Sequence, residues 1–299
     1  MLKDRSKLTT EKRNARSRGI DRRTTLEVVD IINAEDRRVA EAVRRERRAI
    51  AAAADLVVES LRQGGRLFYV GAGTSGRLGV LDAAECPPTY GTPPGMVQGI
   101  IAGGRRALVR SVEGAEDRAE DGAAALSKRR VRPGDVVIGI AACGVTPFVR
   151  GAIERAREIG ARTAFVTCAP ESCQYIQVDV LINPVVGPEV VTGSTRMKAG
   201  TATKLVLNTL TTTAMIRLGK VYDNLMVDLR ATNAKLRDRA ERIVMAVTGV
   251  RRPRARRLLT AARGWAKAAI LMHFRRVDCP EAERLLAAAD GSLRRAIEG

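Results

Sequence analysis

The chain has 299 residues, with 52 Lys and Arg against 33 Asp and Glu, and a formal charge of +19. A hydrophobic share of 45% is enough for one large or two modest cores. One histidine, His273, argues against a multi-histidine metal centre or a Ser–His–Asp triad, and nine aromatic residues (four Phe, four Tyr, one Trp) are few for a base-stacking nucleic-acid platform.

The charge is uneven. Residues 1–50 hold 15 basic and 9 acidic residues, and residues 250–299 hold 12 and 5. The 199 residues between hold 25 and 19, close to ordinary. Such a middle suits an anionic small molecule without requiring a polyanion. Arginine supplies 43 of the 52 cations, which points to composition as much as to recognition. No run of 18 apolar residues reads as a membrane span. Met1-Leu2-Lys3-Asp4-Arg5 lacks the apolar core of a signal segment. The five cysteines (86, 143, 168, 173, 279) form no CxxC pair. They read as reduced, small apolar residues of a cytoplasmic protein.

In chain order, a basic lead gives way to a helix from Asp36 to Leu61, with Val39, Val43, Ile50, Ala54, Val57 and Leu61 at helical spacing. Gln63-Gly64-Gly65 ends it. Five strands follow, at 66–70, 96–102, 135–141, 162–167 and 178–182. They are near-continuous β-branched runs separated by helices, which argues a parallel sheet covered on both faces. A helix at 146–159 ends at Gly160. A long helix at 197–218 is more apolar than a surface helix, so it is expected buried in the domain or in a dimer interface. The last 50 residues read as a small helical bundle. Asp278-Cys279-Pro280-Glu281 opens one helix with a capping residue and a first-turn proline, and Gly291 breaks it.

Gly71-Ala72-Gly73-Thr74-Ser75-Gly76 lies between the first strand and a helix. It satisfies the G-x-G-x-x-G of dinucleotide sites. A ribose-binding acid near the end of the second strand is missing, and Gly103-Gly104-Arg105-Arg106 stands there instead. An NADP site that uses those arginines therefore stays open, as does a turn without a ligand. The more economical reading is a phosphomonoester cradle made by Thr74, Ser75 and the backbone N–H groups of a helix start. A second such turn, Ala142-Cys143-Gly144-Val145-Thr146-Pro147, follows the third strand at the edge where open α/β sheets bind ligands. Glu85 and Glu116 stand near these turns as candidate general acid and base, although most Glu are solvated. Gly193-Ser194-Thr195-Arg196-Met197-Lys198 opens the long helix. Ser194 and Thr195 are expected to cap it, and Arg196 and Lys198 to face either substrate phosphate or water. His273 sits among Leu271, Met272 and Phe274 and reads as a packing residue.

At these residues the chain resembles the N-acetylmuramic acid 6-phosphate etherase family, built on the sugar isomerase (SIS) domain. The resemblance runs from about residue 8 to 299. It is carried by Leu8-Thr9-Thr10-Glu11, Ile32-Asn33-Ala34-Glu35-Asp36, the glycine turn through Gly79, Glu85-Cys86-Pro87-Pro88-Thr89-Tyr90-Gly91, Val112 through Asp117, and Gly187 through Lys204. Asn224 through Asp228 and Ala231-Thr232-Asn233 close the set. The Glu-Cys-Pro-Pro and Ser-Thr-Arg-Met-Lys segments are far more specific than a lone glycine-rich loop.

The resemblance implies an SIS-type doubly wound five-stranded parallel sheet with flanking helices and a small C-terminal helical bundle. It implies a cytoplasmic homodimer that needs no cofactor and no metal, and that has neither nucleic acid nor membrane as partner. The implied reaction cleaves the lactyl ether of N-acetylmuramic acid 6-phosphate in cell-wall amino sugar recycling. By match to the family motif, Glu85 is the proton donor and Glu116 the second acid/base. Gly73, Thr74, Ser75, Gly144, Thr146, Ser194 and Arg196 are the expected phosphate and substrate contacts. A leaving group protonated at neutral pH asks for a carboxyl sheltered by burial or by a neighbouring acid. The domains are expected at 1–50 (basic lead and helix), 51–220 (SIS domain), 221–249 (connector) and 250–299 (a UBA-like helical domain).

One departure matters. The family's second turn usually reads Ser-Gly-Arg-Thr-Pro, and Cys143 and Val145 replace its serine and arginine. A hydrogen bond to a charged group contributes about 1.5–3 kcal/mol, so phosphate affinity is expected to fall by about one to two decades. The alternative reading is a sugar-phosphate sensor without catalysis, resembling glucokinase regulatory proteins. It gains from this departure and loses from the retained acids.

Overall fold

Strand and helix formation follow the alternation of buried apolar runs with amphipathic ones. A computed structural model describes residues 5–229 and 234–299. Met1 to Asp4 and the motif Ala231-Thr232-Asn233 lie outside the described residues. The chain divides into two units, Met1–Ala84 with Gly95–Thr211, and Glu85–Pro94 with Thr212–Gly299.

In the first unit, α1 (Thr25–Arg45) and α2 (Arg47–Arg62) precede β1 (Leu67–Gly71), α3 (Gly73–Tyr90, which belongs to the second unit from Glu85 onward), β2 (Val97–Ile101), α4 (Ala119–Lys128) and β3 (Val136–Ile140). Next come α5 (Pro147–Ile159), β4 (Arg162–Val166), β5 (Val180–Ile182) and α6 (Lys198–Arg217), which belongs to the second unit from Thr212 onward. The five strands form one parallel sheet in the order β2-β1-β3-β4-β5. Every residue of β1 and β3 is buried, as strands covered on both faces require. Phe68, Val70, Val137, Val149, Ala152 and Phe165 belong to one core cluster. The order reverses direction beside β1, so the C-terminal ends of β1 and β3 flank a crevice of the kind where such sheets bind ligands.

The expected single helix from 36 to 61 is two. Glu46 leaves helical geometry at φ −84° and ψ 6° between α1 and α2. Its carboxylate accepts from the Asn183 N–H at 3.0 Å, a contact made across 137 residues. The helix also begins earlier, at a capping box in which Thr24 and Glu27 exchange hydrogen bonds. The long helix, α6, is buried on one face only. Ala199, Ala202, Val206, Leu207, Leu210, Ala214 and Met215 are at most 1% exposed, whereas Thr201, Lys204, Asn208 and Thr212 are exposed. The apolar excess is thus a wide buried stripe rather than burial all round.

The second unit holds α7 (Ala234–Thr248), α8 (Arg252–Ala261), α9 (Ala266–Arg275), α10 (Cys279–Ala288) and α11 (Leu293–Glu298). They enclose Val244, Ile270, Leu271 and Leu286. Asp278 caps α10 by accepting from the Glu281 N–H at 3.0 Å, as its sequence predicts. Gly291 adopts φ +74° between α10 and α11. The buried Asp228 carboxylate accepts from Trp265 Nε1 at 2.7 Å and Lys267 Nζ at 2.9 Å. Burial pushes that carboxyl up, but the Lys267 and Lys220 ammonium groups outweigh it and hold it below its ordinary value. All five cysteines are free; Cys86, Cys168 and Cys279 are buried as expected, whereas Cys143 and Cys173 are only half-buried. Burial pushes the Cys168 thiol up to about 12. No helix among the described residues is long and apolar enough to cross a membrane.

Candidate active site

The glycine turn between β1 and α3 is built by backbone geometry. Gly73 adopts φ +52°, a conformation that side chains rarely tolerate, and a Cβ there would meet open space. The first N–H groups of an α-helix have no partner within it, and Gly73, Thr74 and Ser75 at the start of α3 line a cavity. The second turn is built the same way. Gly144 adopts φ +72°, and a Cβ there would lie 1.9 Å from Ser172 Oγ. Thr146 is the N-cap of α5, with Pro147 in the first turn, but its hydroxyl makes no capping bond. That hydroxyl is left available to a ligand.

The two turns meet in a cavity of about 290 Å³. Gly73, Thr74, Ser75, Cys143, Thr146 and Glu116 line it. Glu116 is held by its backbone, whose carbonyl accepts from the Phe148 N–H at the start of α5 at 3.0 Å. Gly144, although it shapes the turn, does not line the cavity. Neither do Ser194 and Arg196, which lie just before α6; their neighbour Thr195 does. Glu85 is exposed on the last turns of α3 and belongs to the other unit. It is not among the residues that line the cavity. The buried carboxyl of α3 is instead Asp82. Burial pushes it up, against hydrogen bonds from Tyr69 and Thr211 and the Lys204 charge.

The start of α6 differs from expectation. Its free N–H groups at Lys198 and Ala199 donate to the Glu189 carboxylate at 3.0 and 2.9 Å. The anion at this helix end is therefore the protein's own. Lys198 does not face a substrate either. It is fully buried, and its ammonium pairs with Glu35, which also accepts from Asn14 at 2.9 Å and pairs with Arg16. Burial pushes the Glu35 carboxyl up, but Arg16, Lys198 and Asn14 outweigh it and hold it at about 2.

Sequence reasoning missed Arg5 and Glu11, which also line the cavity. Both sit on the N-terminal arm. Leu8 in that arm is fully buried and forms a small cluster with Val145 and Ala169. The Thr9 N–H donates to Glu171 at 3.1 Å. The Leu8-Thr9-Thr10-Glu11 motif is the local signal for this arm. Arg105 and Arg106, the alternative NADP contacts, are exposed in a short turn at Gly104–Leu108 and do not line the cavity. His273 lies half-buried on α9, edge-on to Phe274 at 5.4 Å between ring centroids. No cluster of three His, Cys, Asp or Glu suited to a metal occurs among the described residues.

The profile of the glucokinase regulatory protein N-terminal SIS domain matches residues 49–157. A solved phosphoheptose isomerase from Neisseria gonorrhoeae is 20% identical, with a TM-score of 0.45, and the match covers 64% of this chain and 99% of that one. An N-acetylmuramic acid 6-phosphate etherase of Trichormus variabilis is 54% identical over 99% of this chain and 96% of its own length. One of Salinibacter ruber is 57% identical over 98% of this chain and 94% of its own. Sequence identity of this extent, along practically the whole chain, makes it a member of the N-acetylmuramic acid 6-phosphate etherase family.

Proposed function

We propose that the protein cleaves the D-lactyl ether of N-acetylmuramic acid 6-phosphate to N-acetylglucosamine 6-phosphate and D-lactate, as a cytoplasmic homodimer in cell-wall amino sugar recycling. The full-length likeness to etherases carries this reading. The hydroxyl-lined cavity holding Glu116 supports it.

In the ring-opened sugar, the C1 aldehyde acidifies the C2 proton. A carboxylate removes that proton, and the electron pair forms the C2–C3 double bond as the C3–O bond breaks. A second carboxyl protonates the departing lactate oxygen. Water then adds, its hydroxyl to C3 and its proton to C2. Glu85 is the proton donor in this reading, and Glu116 the second acid/base. Thr74, Ser75, Thr146 and the N–H groups around Gly73 hold the phosphate, joined by Gly144 as the shaping residue of the second turn. Arg5, the one cation among the residues lining the cavity, supplies the positive charge absent at Val145. Ser194 and Arg196 stand beside Thr195 as outer substrate contacts. Leu26 and Val29, exposed three residues apart on α1, support a dimer face.

The test is D-lactate release from N-acetylmuramic acid 6-phosphate by purified protein. Loss of release in both Glu85→Gln and Glu116→Gln is expected; wild-type turnover in both would overturn the assignment. A sugar-phosphate sensor without catalysis is the second reading, favoured by the regulatory-protein profile over residues 49–157. Substrate binding without lactate would select it. A single mass of about twice 32.3 kDa in light scattering is the result expected of the dimer.

A further inference from the structure

A second cavity, of about 230 Å³, adjoins the first and shares Ala72, Gly73 and Glu116 with it. Its far wall is aliphatic, formed by Ala102, Ala107 and Val112. Its one cation is Arg77, on α3 one turn beyond Gly73. The Arg77 guanidinium is half-buried, and its Nε donates to the Leu108 carbonyl at 3.1 Å. That bond fixes the plane of the group and leaves both terminal nitrogens to other acceptors. No carboxylate of the described residues pairs with it, although Glu113 and Glu116 line the same cavity. Both of those acids are exposed. The cavity thus combines a tethered guanidinium, with no carboxylate bonded to it, and a small apolar wall. This is the chemistry that recognises a short carboxylic acid bearing a methyl group.

We propose that Arg77 receives the carboxylate of the lactyl group, with the lactyl methyl against Ala107 and Val112. This assignment rests on the etherase reading. The substrate carries two anions, the phosphate at C6 and the carboxylate on the C3 ether, and only the first survives in the sugar product. The two cavities take one anion each. Glu116, lining both, stands where the bond between them breaks. Arg77 therefore distinguishes substrate from N-acetylglucosamine 6-phosphate and limits product inhibition.

The test compares wild type, Arg77→Met and Arg77→Lys on N-acetylmuramic acid 6-phosphate and on its lactyl amide. Arg77→Met is expected to lower kcat/KM for the acid roughly a hundredfold, the size of a lost bidentate charged pair. Turnover of the amide, already slow in wild type, is expected to change less than threefold, because the partner is gone in both. Inhibition by N-acetylglucosamine 6-phosphate is expected to stay unchanged, which also shows that the variant folds. Arg77→Lys keeps the charge without the fork and is expected in between. Equal losses on acid and amide, or weaker inhibition by the product, would overturn the assignment. Failure of the etherase reading looks different, since wild type then releases no lactate. In that case calorimetry decides: a wild-type preference for the lactyl sugar phosphate over the product sugar phosphate, erased in Arg77→Met, supports the subsite, and an equal preference in both proteins refutes it.

Discussion

Lys198→Met probes the buried ion pair that ties three distant segments together. Glu35 comes from α1, Asn14 and Arg16 from the N-terminal arm, and Lys198 from the first residue of α6. Both side chains of the Glu35–Lys198 pair are at most 2% exposed. Removing one partner of a buried pair costs about 3–5 kcal/mol, because the remaining charge is stranded. Arg16 stays as a partner but is 58% exposed and therefore well screened, so the lower end, about 3 kcal/mol, applies. The Glu35 carboxyl agrees in direction: it sits at about 2 in the folded chain against an ordinary 4.5, held there by Arg16, Lys198 and Asn14 together. A depressed carboxyl stabilises fully above its unfolded value, and the contribution is lost as pH falls from 4.5 toward 2. The assay is urea unfolding across pH 3–7. Lys198→Met is expected to lose about 3 kcal/mol at pH 7 and progressively less below pH 4.5, where its Glu35 accepts a proton. Glu35→Gln with Lys198→Met is expected to be more stable than Lys198→Met alone. A single variant as stable as wild type at pH 7, or a double variant with strictly additive losses, would refute the reasoning.

Three further outcomes are expected. Cys143→Ser replaces a weak thiol donor in the cavity with a hydroxyl, and calorimetry with N-acetylglucosamine 6-phosphate should read binding roughly tenfold tighter. Gly144→Ala sets a methyl 1.9 Å from Ser172 Oγ at φ +72°, so thermal unfolding should register a loss of about 2 kcal/mol or more, together with weaker product binding. Asp82, whose carboxyl burial raises, contributes stability in its protonated form that is lost as pH rises through the folded value. Asp82→Asn should therefore gain on wild type in unfolding free energy as pH rises from 4 to 8, and a constant difference would refute that sign.

What the sequence made legible was local. Buried strands of a parallel sheet announce themselves as short apolar runs, and β1 to β5 fall within about two residues of the expected ones. The two glycine turns were legible because glycine positions with positive φ come within a few residues of strand ends. Long-range pairings were not. The break at Glu46 interrupts a pattern that keeps its helical period, and its acceptor role toward Asn183 spans 137 residues. Lys198 reads as a cation at a helix start, facing either a ligand phosphate or water. Its true partner is 163 residues away. Arg5 was invisible for the same reason, since nothing local says that the arm lies along the sheet edge.

The departure at the second turn takes on a different meaning once the arm is placed. Val145 is 7% exposed and packs with Leu8 and Ala169, with Cys143 beside them. A charged side chain at 145 would have to leave that cluster or bury its charge, which is costly without a partner. Valine therefore removes a cation from the turn and adds an apolar anchor for the arm. The anchored arm carries Arg5, three residues before Leu8, into the same cavity. Val145 thus exchanges a cation fixed on the turn for one delivered by a segment that docks. Arg5→Met should weaken binding of N-acetylglucosamine 6-phosphate about tenfold and flatten its dependence on salt. Val145→Ala should produce the same two effects without touching a charge, because it loosens the anchor under Leu8. If Val145→Ala left binding unchanged while Arg5→Met weakened it, the arm would be held by its polar contacts, Thr9 to Glu171 and Asn14 and Arg16 to Glu35, and the valine would be a plain loss of grip.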